Sequence, residues 1–146
     1  MAESPFEIVT APRSRERLKF LDFQFEKLPD GQCRSRVVLE MHDGAQFVGE
    51  STGMGSATGE LRVAAQAATI ALQDAVGTRL NFELLGVKAV RAFDAVVVIV
   101  SISCHNGVPA TRLVGSCLSE TEVQRGAALA VLNATNRLLG NIVFVR

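Results

Sequence analysis

Hydrophobic positions along the chain follow two periods in turn, and the sequence runs through that alternation twice. Leu21, Phe23 and Phe25 alternate with Asp22, Gln24 and Glu26, a period of two that predicts a half-buried strand. Leu28-Pro29-Asp30-Gly31 reads as a turn. Val37, Leu39 and Met41 then alternate with Arg36, Val38 and Glu40 in a second strand. Asp43-Gly44 tolerates positive φ and predicts a hairpin turn into a third strand over about 45–51. A glycine-rich stretch over 52–59 follows, read as a loop, and the period then changes. Leu61, Ala64, Ala65, Ala68, Leu72, Ala75 and Val76 fall on one helical stripe. Arg62, Gln66, Thr69 and Gln73 line the other side, and Gly77 fits the helix end. The unit is βββα.

A second unit repeats the order. A strand is expected over about 80–90. The run 95–100 is apolar on both faces, which predicts a central strand covered on both sides. Asn106-Gly107 supplies the next hairpin turn, and 111–117 the third strand. The helix is expected to begin at Ser119 or Glu120-Thr121, with Ser119 and Glu122 at capping-box spacing. Ala128, Val131, Thr135, Leu138 and Leu139 form its core stripe, Gly140 ends it, and 141–145 reads as a short final strand.

The repetition is visible residue by residue. Arg17-Leu18-Lys19-Phe20 recurs 62 positions on as Arg79-Leu80-Asn81-Phe82, and Ala64-Ala65-Gln66-Ala67 recurs 63 positions on as Ala127-Ala128-Leu129-Ala130. Phe47-Val48-Gly49-Glu50-Ser51 recurs 66 positions on as Leu113-Val114-Gly115-Ser116-Cys117. Two copies are too few for a solenoid. The expected fold is α+β: a duplicated βββα unit with pseudo-two-fold symmetry, antiparallel strands packed with two helices, each half covering the apolar face of the other. Residues 1–16, with Pro5 and Pro12, read as a flexible arm. Residues 17–146 form a single domain of two repeats, about 17–77 and 79–140, plus the C-terminal strand.

Where the first helix carries Gln66 and Thr69 on its expected solvent side, the second carries Leu129 and Leu132. An apolar outer flank predicts a cover. Leu129, Leu132 and Asn136 are therefore the expected surface of a homodimer or higher homo-oligomer.

Composition narrows the function classes. Lys+Arg and Asp+Glu balance at 15 each, against the basic surplus expected of a nucleic-acid binder and against electrostatic attachment to anionic membranes. No apolar run reaches membrane-span length, and the first residues lack the pattern of a signal peptide. Cys33, Cys104 and Cys117 form neither a CxxC motif nor a disulfide framework, which fits a reduced, cytoplasmic protein. Trp and Tyr are absent, so a base- or ring-stacking site is disfavoured.

Candidate chemistry is sparse. Gly53, Gly55 and Gly59 lack dinucleotide-fingerprint spacing, and the unit is not βαβ. They read as a structural loop or as one that touches a ligand. His42 and His105 lie at hairpin turns with no accompanying acid or cysteine cluster. Cys104 and His105 are adjacent, so on a strand they point to opposite faces. Cys33 and Cys117 read as small hydrophobes. No metal-ligand spacing, cofactor motif or catalytic arrangement stands out, and a non-catalytic role is expected.

Val114-Gly115-Ser116-Cys117-Leu118-Ser119-Glu120-Thr121-Glu122-Val123, followed by Ala127-Ala128 and Val131-Leu132-Asn133-Ala134-Thr135-Asn136-Arg137-Leu138-Leu139, resembles the end of the C-terminal regulatory domain of 2-isopropylmalate synthases. Citramalate synthases have a similar domain. Phe82-Glu83-Leu84-Leu85-Gly86-Val87-Lys88-Ala89-Val90 is similar to an upstream strand of the same domain. The resemblance spans roughly 17–140 and is stronger in the second half. It implies a duplicated βββα domain that joins subunits and binds an end-product amino acid or related carboxylate at the glycine turns before the helices. By position those turns are Gly53-Met54-Gly55-Ser56-Ala57 and Gly115-Ser116-Cys117-Leu118-Ser119. The binding residues this implies are Gly53, Met54, Gly55, Ser56, Gly115, Ser116, Leu118 and Ser119. Glycine lets a backbone approach a ligand closely, and helix N-terminal amides attract carboxylates. The chain departs from the family in its longer first turn and in the absence of the synthase's catalytic barrel. The expected function is dimerisation with sensing of a small carboxylate. The alternatives are a purely structural adaptor and, less favoured, an enzyme using Cys104 or Cys117.

Overall fold

The computed structural model describes residues 18–105, 110–120 and 122–136, and the backbone of 143–144. The expected N-terminal arm, the Asn106-Gly107 turn, Thr121 and the helix end at Leu138, Leu139 and Gly140 lie outside the described residues.

Two βββα units are present. The first comprises β1 (Leu18–Lys27), a 3-10 turn (Pro29–Gly31), β2 (Gln32–Met41), β3 (Gln46–Met54) and α1 (Ala57–Val76). The second comprises β4 (Asn81–Ala92), β5 (Ala95–His105), β6 (Thr111–Ser119) and α2 (Val123–Asn136). A short β7 (Val143–Phe144) pairs in parallel with Leu18 and Lys19 of β1, tying the end of the second unit to the first sheet. The sheets run β3-β2-β1-β7 and β4-β5-β6, and all pairs apart from β1–β7 are antiparallel.

The turns follow local chemistry. Gly44 takes φ 94° at the β2–β3 turn, where its N–H donates to the Met41 carbonyl at 2.9 Å and Asp43 Oδ1 accepts from the Ala45 N–H. At the β4–β5 turn, Phe93 and Asp94 hold positive φ without any glycine, which is why glycine spacing does not mark this hairpin.

Inward residues alternate along the strands and meet the helices. Leu18, Phe20, Val37 and Leu39 of the first sheet, and Leu84, Val98, Val100 and Ile102 of the second, share one core with the alanine-rich faces of α1 and α2. The two units are related strand by strand. Phe20 pairs with Leu39, and Leu84 with Ile102. Phe20 therefore corresponds to Leu84, an offset of 64 rather than the 62 of the sequence match. The match had slipped by two residues, which preserves the face of a strand. A bulge falls at the same place in each unit, between Phe20 and Asp22 and between Leu84 and Gly86.

Three expectations are corrected. The stretch over 52–59 is not a loop: β3 runs to Met54, and α1 starts at Ala57 with Ser56 as its cap, Oγ accepting from the Gly59 N–H at 3.0 Å. Ser119 does not cap α2; it ends β6, buried, facing Gly126, and α2 starts at Val123. Thr69 and Leu132 do not face outward, being 3 % and 0 % exposed within the single chain. The buried arc is wider than the sequence stripe because α1 packs against both its own sheet and α2. Leu129 is half-buried against the core. Asn136 is half-buried, with its Oδ1 desolvated and without a hydrogen-bond partner. Leu132 thus offers no surface to a second subunit, and the outer-flank argument built on it falls.

Candidate functional site

The passage from β3 into α1 builds a cleft of ≈ 390 Å³. Ser51, Thr52, Gly53 and Met54 supply one wall, and Ser56, Thr58, Gly59, Arg62, Val63 and Gln66 the other. The direct strand-to-helix passage requires glycine at two places. A Cβ on Gly59 would run into the Met54 carbonyl, and one on Gly53 would stand 2.8 Å from Val63 Cγ2. Small residues therefore keep the end of β3 tight against the first turns of α1 and leave space between the side chains above them.

The cleft's polarity is one-sided. Arg62 Nη2 donates to the Leu84 carbonyl at 3.4 Å, and its guanidinium makes no ion pair among the described residues. Glu60 stands two positions earlier, about 200° around the helix. There its carboxylate accepts from Gln124 of α2 at 2.9 Å and lies 4.0 Å from Lys27. The helix's own acid is thus turned away, and its cation and N-terminal partial charge remain on the cleft side. Met54, 70 % exposed, adds an apolar lip. A cation, hydroxyls and a thioether suit a small molecule with a carboxylate at one end and an aliphatic group at the other.

A second depression of ≈ 290 Å³ is lined by Gln24, Phe25, Glu26, Arg34, Ser35, Arg36 and Glu50. Its charges already neutralise one another, Arg34 with Glu26 and Arg36 Nε with Glu50 at 3.4 Å, so it offers no free charge to a ligand.

Of the eight ligand residues expected from sequence, Gly53, Met54 and Ser56 line the cleft. Gly55 sits beside it, its N–H donating to the Gly31 carbonyl at 2.8 Å. The second set is not brought to this cleft. Gly115 lies beneath α2 against Ala130 and Ala134, and Ser119 packs against Gly126. The Ser116 carbonyl accepts from Asn133 Nδ2 at 2.8 Å, and Leu118 is exposed on the outer sheet face. Gly59, which the sequence offers as part of a structural or ligand-touching loop, also lines the cleft, and Thr58, Arg62 and Gln66 are additions from the structure. In the sequence Arg62 and Gln66 belong to a polar stripe; their four-residue spacing puts them on one helix face but does not by itself mark that face as a site.

The hydrogen bonds that the thiols make among the described residues go to backbone carbonyls. Burial raises the pKa of Cys33, with a further push from Glu60, and burial also raises that of Cys104. Burial raises Cys117 too, partly opposed by Arg125. Cys33 Sγ donates to the Met54 carbonyl at 3.4 Å. Cys104 points inward and is buried, whereas His105 lies on the outer face with Nε2 3.0 Å from Ser103 Oγ. Among the described residues no cluster of His, Cys, Asp or Glu could hold a metal ion, and no helix is long and apolar enough to cross a membrane.

Comparison with known proteins finds no matching protein-family model and no matching curated protein.

Proposed function

We propose that the chain is a non-catalytic, cytoplasmic, homodimerising domain that binds a small aliphatic carboxylate, an amino acid or a keto or hydroxy acid, in the cleft between β3 and α1. The observation that carries the reading is the cleft itself: Arg62 and the first turn of α1 line the same ≈ 390 Å³ space, with the neighbouring acid, Glu60, engaged by Gln124 of α2. The resemblance of the repeats to 2-isopropylmalate synthase regulatory domains supports the ligand class, and the duplicated βββα fold is compatible with it. Among the described residues, the cleft found at a strand-to-helix turn is that of the first unit, whereas in the second Ser119 packs near Gly126 and Asn133 donates to the Ser116 carbonyl. One ligand per chain follows. That packing also favours a second reading, an adaptor that has lost ligand binding in both units.

A thermal-shift screen of branched-chain amino acids and their keto and hydroxy acids separates the two. A ligand present at one hundred times its Kd stabilises by about 2.7 kcal/mol, a shift of roughly 5–10 °C for a chain of this size. Arg62→Ala should reduce affinity about tenfold or more, the loss of one charge-assisted hydrogen bond. If no compound at millimolar concentration moves the melting temperature, the sensor reading fails and the adaptor reading replaces it.

A further inference from the structure

The outer faces of the two sheets occupy equivalent places in the duplicated unit and differ in chemistry, most sharply in the two rows nearest the β1–β2 and β4–β5 turns. On the first sheet, Glu26, Arg34 and Thr52 share one cross-strand row, Gln24, Arg36 and Glu50 the next, and Asp22, Val38 and Val48 a third. Arg34 pairs with Glu26 and Arg36 with Glu50, as expected of a sheet that faces water. The matching rows of the second sheet are Val90–Val97–Leu118 and Lys88–Ile99–Ser116, followed by Gly86–Ser101–Val114. Val114 and Leu118 are 64 % and 59 % exposed, and Phe93 at the adjoining turn is 99 % exposed. The sequence expectation that β5 is covered on both faces is met on one side only: α2 covers the inner face, and no described element covers the outer one.

We infer that this apolar face docks on the same face of a second copy of the chain, by aligned sheet-on-sheet packing about a two-fold axis parallel to β5. The surface deepens the oligomerisation proposed above and rests on it. Charge placement identifies the occupant. The row that closes the apolar patch is Glu83–Ser103–Arg112, with a carboxylate on one edge strand and a guanidinium on the other. An axis parallel to β5 lays β5 on its own copy and crosses β4 with β6 of the second copy. Rows are then preserved. Val90 meets Leu118 of the second copy, and Glu83 meets Arg112 of the second copy twice over. Sheets stack about 10 Å apart, a gap that these two long side chains can span. With the strands opposed, the Glu83 row would lie over Ala92 and Ala95, and both charges would go unanswered. From strand spacing and rise, the face measures about 400 Å² on each copy. That is about 800 Å² in total, below a standard interface, so the dimer dissociates on dilution.

Sedimentation velocity on the full chain, from low micromolar to several hundred micromolar, tests this. The expected result is a concentration-dependent shift from the 15.6 kDa monomer to a dimer. Leu118→Lys with Val114→Lys, both at exposed positions, should hold the chain monomeric with an unchanged circular dichroism spectrum. Glu83→Arg should weaken the dimer, and Glu83→Arg with Arg112→Glu should restore it. A wild-type chain that stays monomeric throughout overturns both this surface and the dimerisation reading. A dimer unaffected by the two lysines overturns this surface alone. Failure of the charge swap to restore a dimer weakened by Glu83→Arg overturns the aligned arrangement.

Discussion

Cys33 illustrates how a residue's surroundings decide what it can do. Its side chain is fully buried on β2, and its thiol donates to the Met54 carbonyl. Burial and the nearby Glu60 carboxylate both disfavour the thiolate, and burial does the same at Cys104 and Cys117. A thiol held protonated is a poor nucleophile, which argues against the thiol-enzyme alternative. It also fixes a sign for pH dependence. A pKa raised in the folded state gives stability that is complete below the unfolded thiol value, about 8.5, and is lost as pH rises toward the folded value. The melting temperature should therefore be level between neutrality and mildly alkaline pH and fall above it. A variant with all three cysteines replaced by Ala should fold and show a shallower alkaline decline. An equally steep decline in that variant would assign the loss to other groups.

At the scale of elements, the decisive feature is how closely each helix sits on its sheet. Gly49 of β3 lies under Ala67 and Ala71 of α1, and Gly115 of β6 under Ala130 and Ala134 of α2. In both units an added Cβ would strike helix backbone, so the helix would have to lift. Gly49→Ala and Gly115→Ala should each destabilise by about 1–3 kcal/mol or more, the cost of overpacking. Gly86→Ala, whose Cβ would meet nothing within 4 Å, should change stability by only about 0.5 kcal/mol. Chemical denaturation measures all three, and equal losses would refute the close-approach account. The same pair explains what the sequence made legible. Gly49 and Gly115 stand in matching motifs, and the period changes around them located all six main strands and both helices. Boundaries were harder. Ser56 hides a strand-to-helix junction inside a glycine-rich run that looks like a loop. Thr69 and Leu132 looked solvent-facing because a helical wheel assumes one buried side, whereas each helix here packs on a sheet and on the other helix. Of the site, the glycine turn was legible, but Arg62 was not, because a cation on a helix's polar stripe looks like any solvated charge until the fold places it at a cleft.

The whole molecule is a duplication whose halves have diverged. The first unit keeps an open strand-to-helix turn and a charged outer sheet face. In the second, Ser119 packs near Gly126 beside the turn, and the outer face is largely apolar. The proposed division of labour is ligand binding in the first unit and self-association in the second. The most direct measurement of the central claim is a two-dimensional amide NMR titration of the ¹⁵N-labelled chain with L-leucine and with 2-oxoisovalerate. One of these compounds, or a close homologue from the thermal screen, should move the backbone resonances of Gly53, Met54, Ser56 and Gly59. Gly115, Ser116 and Ser119 should stay in place, and the response should be lost in Arg62→Ala. No movement at saturating millimolar ligand, or movement centred on the second turn instead, would contradict that claim.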